Sequence, residues 1–152
     1  MRFLSSAVVA SVVLSVATIA SAESASATVV VAATFSSRTS LQVSSDVLQF
    51  DVASSDDPAV ARVDFSARAR TAGNAQVVLS VEPLHEVPGP SSALTFSGVG
   101  EGTLSGAVGP SGLTVAGRWM GSGLRHGTLV FALRASAPGK YSVPVRFVLS
   151  AP

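Results

Sequence analysis

The chain has 152 residues, with ten lysines and arginines against nine aspartates and glutamates, for a formal net charge of +1. Nucleic-acid binding needs a strong basic surplus, so this balance argues against it. The absence of cysteine excludes disulfides, thiolate metal sites and a lipid-modified cysteine, and the stability of the fold must come from its core.

The first 22 residues predict a cleaved signal peptide. Arg2 gives a positive start, residues 3–19 are uncharged and apolar or small, and Ala20-Ser21-Ala22 is a small-x-small cleavage signal. A retained membrane anchor is the alternative, but it would need roughly 20 strongly apolar residues, and serines and threonines dilute this run. We therefore expect a secreted protein of the periplasm, cell surface or extracellular space, with a mature chain from Glu23 and no transmembrane anchor.

Residues 23–152 have the length of one domain and the period-2 alternation of half-buried strands. In residues 61–70, the small or apolar side chains at odd positions alternate with polar or charged ones. This pattern, together with shorter apolar runs between turn signals, predicts strands at 27–35, 41–43, 47–52, 61–70, 76–82, 94–97, 103–108, 113–120, 128–134 and 141–149.

No segment after residue 22 has a convincing amphipathic helical pattern. The sequence thus predicts an all-β fold, a single immunoglobulin-like antiparallel β-sandwich over residues 23–152. The predicted core contains Val63, Phe65, Leu79, Val81, Trp119, Phe131, Val145 and Phe147.

Ten of the thirteen glycines lie between Gly98 and Gly127. A phosphate-binding loop is one interpretation, but the glycine-rich run 98–102 opens no helix and no Gly-Lys-Ser/Thr follows it. Tight turns and bulges in successive hairpins explain the glycines better. Trp119 is predicted in the core, with Gly117 leaving room beside it. The alternative is a tryptophan that stacks on a ligand at a carbohydrate-binding face.

Residues for catalysis or metal binding are sparse. The only histidines, His85 and His126, fall in or beside turn-rich segments, where we expect exposed loop positions, and no Gly-x-Ser-x-Gly elbow occurs. The carboxylates between Asp46 and Asp57 do not form a calcium-loop motif, although separate loops of a sandwich can still build a calcium site. We therefore expect no enzymatic activity, no cofactor and no catalytic residue.

Arg62, Arg68 and Arg70 share the outward face of one predicted strand. Such a ladder can bind an anionic polysaccharide or a phospholipid headgroup. A solvated strand face that protects the sheet from edge-to-edge association is the favoured interpretation.

Two segments carry a resemblance to known proteins. The valine-rich strand Ala25-Ser26-Ala27-Thr28-Val29-Val30-Val31 follows the signal peptide, and residues 138–149, Pro-Gly-Lys-Tyr-Ser-Val-Pro-Val-Arg-Phe-Val-Leu, come last. The plan resembles the bacterial pilin-like and spore-coat-U-like immunoglobulin-type sandwiches. The resemblance implies a non-enzymatic surface or fibre-forming subunit that acts through protein contacts. An envelope module that binds carbohydrate or another ligand, such as a surface glycan, is the alternative.

A terminal strand is predicted to lie on an exposed sheet edge and to mediate association. Pro144 suggests this because proline cannot donate a ladder hydrogen bond and is usually confined to edges or bulges. The segment from Ala25 to Val31 is either the first strand of its own sandwich or a donor strand for a neighbour's edge. The residues assigned to strand addition are Ala25, Ala27, Val29, Val31, Tyr141, Val143, Pro144, Val145 and Phe147.

Overall fold

The computed structural model describes residues 37–87 and 93–152. The signal peptide, the predicted strand 27–35 and the proposed donor residues Ala25, Ala27, Val29 and Val31 lie outside this part. The described residues belong to one compact unit, Ser36–Pro152. They contain no helix long and apolar enough to cross a lipid bilayer.

Nine strands account for the regular structure of the described residues. They are β1 (Arg38–Val43), β2 (Val47–Val52), β3 (Ala59–Arg70), β4 (Gln76–Pro83), β5 (Leu94–Val99), β6 (Ser105–Ala107), β7 (Thr114–Met120), β8 (Gly123–Leu133) and β9 (Gly139–Ser150). The larger sheet has the order β1-β3-β8-β5-β6, and the smaller sheet has the order β2-β9-β4-β7. All pairings between these strands are antiparallel, so the predicted all-β sandwich is confirmed.

The core lies between the inward faces of the two sheets. Of the predicted core residues, all but Phe147 are buried, and Phe147 is partly buried and packs against the core. The rings of Phe131 and Phe147 meet edge-on with centroids 6.3 Å apart, a favourable arrangement for two aromatic rings. Alternation in the sequence therefore identified the faces of these strands correctly.

Glycine serves the turns and the close strand contacts of the second half of the chain. Gly102, at a φ of +73°, accepts a hydrogen bond from the Arg118 amide through its carbonyl, in a segment that runs beside β7. At Gly127 an added Cβ would lie 2.7 Å from the ring of Phe65 on the neighbouring strand. Gly102 agrees with the predicted use of glycine in turns, whereas Gly127 lies within β8 and allows a close strand contact that the turn explanation did not include.

The last strand is not an edge strand along its whole length, as the prediction from Pro144 had suggested. β9 lies between β2 and β4, and Pro144 stands where its pairing passes from β2 to β4. The Pro144 carbonyl accepts a hydrogen bond from the amide of Leu84, the residue after β4. The N and O of a strand residue point to the same side of the strand. An N–H at Pro144 would therefore point toward the residue after β4, beyond the last pair of the β4–β9 ladder, so its absence costs no ladder hydrogen bond.

Candidate functional site

A groove of about 360 Å³ separates β1, the edge of the larger sheet, from the second half of β9 in the smaller sheet. Its lining comes mainly from these two strands and includes Leu41, Val43, Val145 and Phe147. Leu84 stands at the groove with 51% of its surface exposed. Asp46 and Arg146 complete the lining, so the groove is mostly apolar, carries two charged residues and is open to solvent. We call it the β1–β9 groove.

The groove exists because the chain changes sheets between β1 and β2. β1 pairs with β3 in the larger sheet, whereas β2 pairs with β9 in the smaller sheet. β2 pairs only with the first half of β9, as far as Pro144, and the Val145 amide then donates to the Asp46 carbonyl. Beyond that point, the side of β9 toward β2 has no strand partner among the described residues.

Within the described part of the chain, this arrangement leaves backbone groups of β9 without a ladder partner. Successive amides of a strand point to opposite sides, and the Val145 amide points toward β2. The amides of Phe147 and Leu149 therefore point the same way, into the part of the groove without a ladder. Within the described residues, no backbone hydrogen bond joins β1 to β9.

The residues of β9 assigned to strand addition have different surroundings. Val143 and Val145 are buried, and Pro144 and Phe147 are half-buried. The Tyr141 hydroxyl donates to the Ala137 carbonyl at 2.7 Å, which fixes its ring near the start of the strand. Only Val145 and Phe147 of this set line the groove.

The aromatic platform considered for a carbohydrate site is not at the surface. Trp119 is 6% exposed and belongs to the core. An added Cβ at Gly117 would lie 3.0 Å from its ring, so Gly117 does leave the room that the sequence suggested. Trp119 therefore cannot stack on an external sugar without a rearrangement of the core.

The remaining candidates for chemistry are dispersed. His85 is exposed just after β4, whereas His126, expected in or beside a turn, is an exposed residue within β8, opposite Ser66. The carboxylate of Asp64 accepts a hydrogen bond from the Thr128 hydroxyl at 2.6 Å. No group of three or more histidine, aspartate or glutamate side chains in the described residues could hold a metal ion.

Four arginines lie on the outward face of β1 and β3 in the larger sheet. Arg62, Arg68 and Arg70 are exposed on β3, as predicted, and β3 is an internal strand between β1 and β8. The register adds Arg38 of β1, which lies directly opposite Arg70. Arg68 lies between Ser40 of β1 and Leu124 of β8.

The sequence did not indicate that Arg38 lies beside Arg70. It also did not indicate that Leu84 and residues of β1 line a groove. Arg38 lies 32 positions before Arg70 in the chain, and only the strand register places them together. The apolar alternation of Leu41 and Val43 did signal a strand, but no local pattern shows that its neighbour across the groove is β9.

Comparison with known proteins does not assign this chain to a group. No protein family model, curated protein or solved structure matches it. A functional proposal must therefore rest on the β1–β9 groove and on the exposed arginines of β1 and β3.

Proposed function

We propose that the chain is an exported, non-enzymatic structural or adhesive subunit that assembles through β-strand addition at the β1–β9 groove. One observation carries the proposal: apolar side chains occur in this groove together with backbone amides that have no ladder partner among residues 37–87 and 93–152. Strand addition uses both features, because backbone hydrogen bonds supply affinity and pockets for alternating side chains supply specificity.

The occupant that we propose is the segment from Ala25 to Val31 of a second copy. Its odd positions are alanine and valine, small enough to enter a shallow groove beside Leu41 and Phe147. Seven residues at about 3.3 Å each span about 23 Å, which is sufficient to follow β1 along its six residues. The same segment of the same chain is the competing occupant.

Deletion of residues 23–31 distinguishes the two occupants. If the segment is donated to a neighbour, the shortened protein should fold as a monomer and no longer assemble, as measured by chemical denaturation and light scattering. If the segment is the protein's own first strand, the deletion should unfold the monomer. That result, or a full-length protein that stays monomeric at high concentration, would contradict donation between copies.

Two half-exposed leucines provide a matched test of the groove. Leu84, which borders the groove, is 51% exposed, and Leu113, in the loop before β7, is 54% exposed. We expect Leu84→Glu to weaken assembly at least tenfold, because a carboxylate would have to be desolvated when a strand docks. Leu113→Glu should leave assembly unchanged, and both variants should keep the stability of the parent protein. Equal effects of the two substitutions would argue against the groove.

A carbohydrate-binding module that uses Trp119 has less support, because the indole is enclosed by the core. The aromatic ring in the lining of the groove is that of Phe147, which is half-buried and packs against the core.

A further inference from the structure

We infer that Arg38, Arg68 and Arg70 form a binding site for an anionic polysaccharide on the outward face of the larger sheet. We call these three residues the arginine cluster. The site is separate from the β1–β9 groove, and none of its residues lines that groove.

The first observation is that the cluster places like charges side by side. Arg38 and Arg70 are direct cross-strand partners, and Arg68 is two residues from Arg70 on the same face. Directly opposite residues of an antiparallel pair have Cα atoms about 4.5–5.5 Å apart, and like charges there are destabilising. The fold therefore retains a repulsive contact that a neutral residue at either position would remove.

The charged residues of β9 in the smaller sheet are arranged in the opposite way. On its outward face Lys140 lies opposite Asp51, and the Arg146 guanidinium donates to the Glu82 carboxylate at 2.7 Å. Each basic residue of β9 thus has an acidic cross-strand partner. Neighbouring opposite charges stabilise a sheet, so the contrast between β9 and the arginine cluster indicates that the cluster serves a purpose other than stability.

No carboxylate of the described residues forms an ion pair with the cluster. The ion pair between Arg146 and Glu82 is the only one at salt-bridge distance in residues 37–87 and 93–152. Asp64 is the acidic residue on the same face of β3, four residues from Arg68, or about 13 Å along a strand. That distance exceeds the Debye length of about 8–10 Å at physiological ionic strength, so Asp64 screens the cluster weakly.

The chemistry of the cluster suits oxyanions. A guanidinium group is always charged, and its planar donors bind a carboxylate, sulfate or phosphate through two hydrogen bonds. Three such groups within one small area can bind several anionic groups of the same ligand. The three arginines lie on an exposed sheet face, which would hold a single small anion poorly. A polymer with repeated charges gains from simultaneous contacts.

The neighbouring side chains favour a glycan over a lipid surface. Ser40, Gln42, Ser66 and His126 lie on the same face and supply hydroxyl, amide and imidazole groups for sugar hydroxyls. Leu124, opposite Arg68, is the large apolar side chain beside the cluster and is 44% exposed. One leucine can contact a sugar ring, whereas insertion into a bilayer needs a larger apolar area.

The test compares two double variants that remove the same amount of charge. Arg68→Gln/Arg70→Gln breaks the cluster, whereas Arg62→Gln/Arg118→Gln removes one arginine near Asp64 and one from β7 of the smaller sheet. Binding to heparin, polygalacturonate and neutral dextran is measured at about 50 mM salt and again at higher salt. Vesicles with phosphatidylglycerol and duplex DNA serve as competing polyanions.

We expect the parent protein to bind both anionic glycans, to release them at high salt and to ignore dextran. The cluster variant should lose at least tenfold in affinity, and the control variant less than twofold. The cluster variant should melt at the same temperature as the parent protein or higher, because a repulsion has been removed. If the cluster variant fails to fold, the single variant Arg38→Gln takes its place in the test. We expect its affinity for the anionic glycans to fall at least threefold.

Three results would overturn the inference. The first is that the parent protein binds neither anionic glycan at low salt. The second is an equal loss of glycan affinity in both double variants, which would show that binding depends on net charge alone. The third is tighter binding to vesicles or DNA than to either glycan, which would assign the cluster to a different partner.

Discussion

At the scale of single residues, the core depends on large side chains that meet between the sheets. Phe131 is fully buried in β8, with the ring of Phe96 at a centroid distance of 6.2 Å on one side and that of Phe147 at 6.3 Å on the other. Its inward position was evident from alternation, but its two aromatic neighbours come from other strands, Phe96 from β5 and Phe147 from β9.

We expect Phe131→Ala to lower the free energy of unfolding by about 3–5 kcal/mol, since it removes a ring and leaves a cavity. This loss is close to the whole stability of a small domain. Val60→Ala is the control, because Val60 is 53% exposed on β3 and should cost no more than about 0.5 kcal/mol. Chemical denaturation measures both, and a neutral Phe131→Ala would contradict the central position of Phe131.

At the scale of elements, β9 divides into two halves with different partners. The half from Gly139 to Pro144 pairs with β2, and the half from Val145 to Ser150 pairs with β4. Each half is therefore paired on one side only within the described residues. The sequence marked Pro144 as unusual for a central strand, and the physical reason is this change of partner.

Hydrogen exchange of β9 tests this arrangement and the proposed function together. The amides of Arg146 and Val148 point toward β4 and should be protected, whereas those of Phe147 and Leu149 should exchange faster in a protein that lacks residues 23–31. Adding a peptide of residues 23–36 should then slow exchange at Phe147 and Leu149. Unchanged exchange at these two amides on saturation with peptide would contradict strand addition at β9.

At the scale of the whole molecule, cleavage of the predicted signal peptide determines whether the full-length or the shortened chain is available for assembly. Cleavage after Ala22 should place Glu23 at the N-terminus and leave the proposed donor segment close to that end. Mass spectrometry of the protein recovered from outside the cytoplasm should show this start. An intact chain retained in the membrane fraction would contradict both cleavage and the release of a donor segment.

The sequence by itself determined which residues face the core. A strand exposes its side chains to alternate faces, so burial is visible in local alternation. For β2 the predicted bounds 47–52 agree with the structure, and for β3 the strand begins two residues earlier than predicted, at Ala59. The all-β class followed from the same pattern.

Only the tertiary structure decided which strands are neighbours. The position of β9 between β2 and β4, the groove between β9 and β1, and the pairing of Arg38 with Arg70 all join residues distant in the chain. Local alternation carries no information on such pairing, because the register depends on how both sheets close around a shared core. The groove and the arginine cluster are both products of that register.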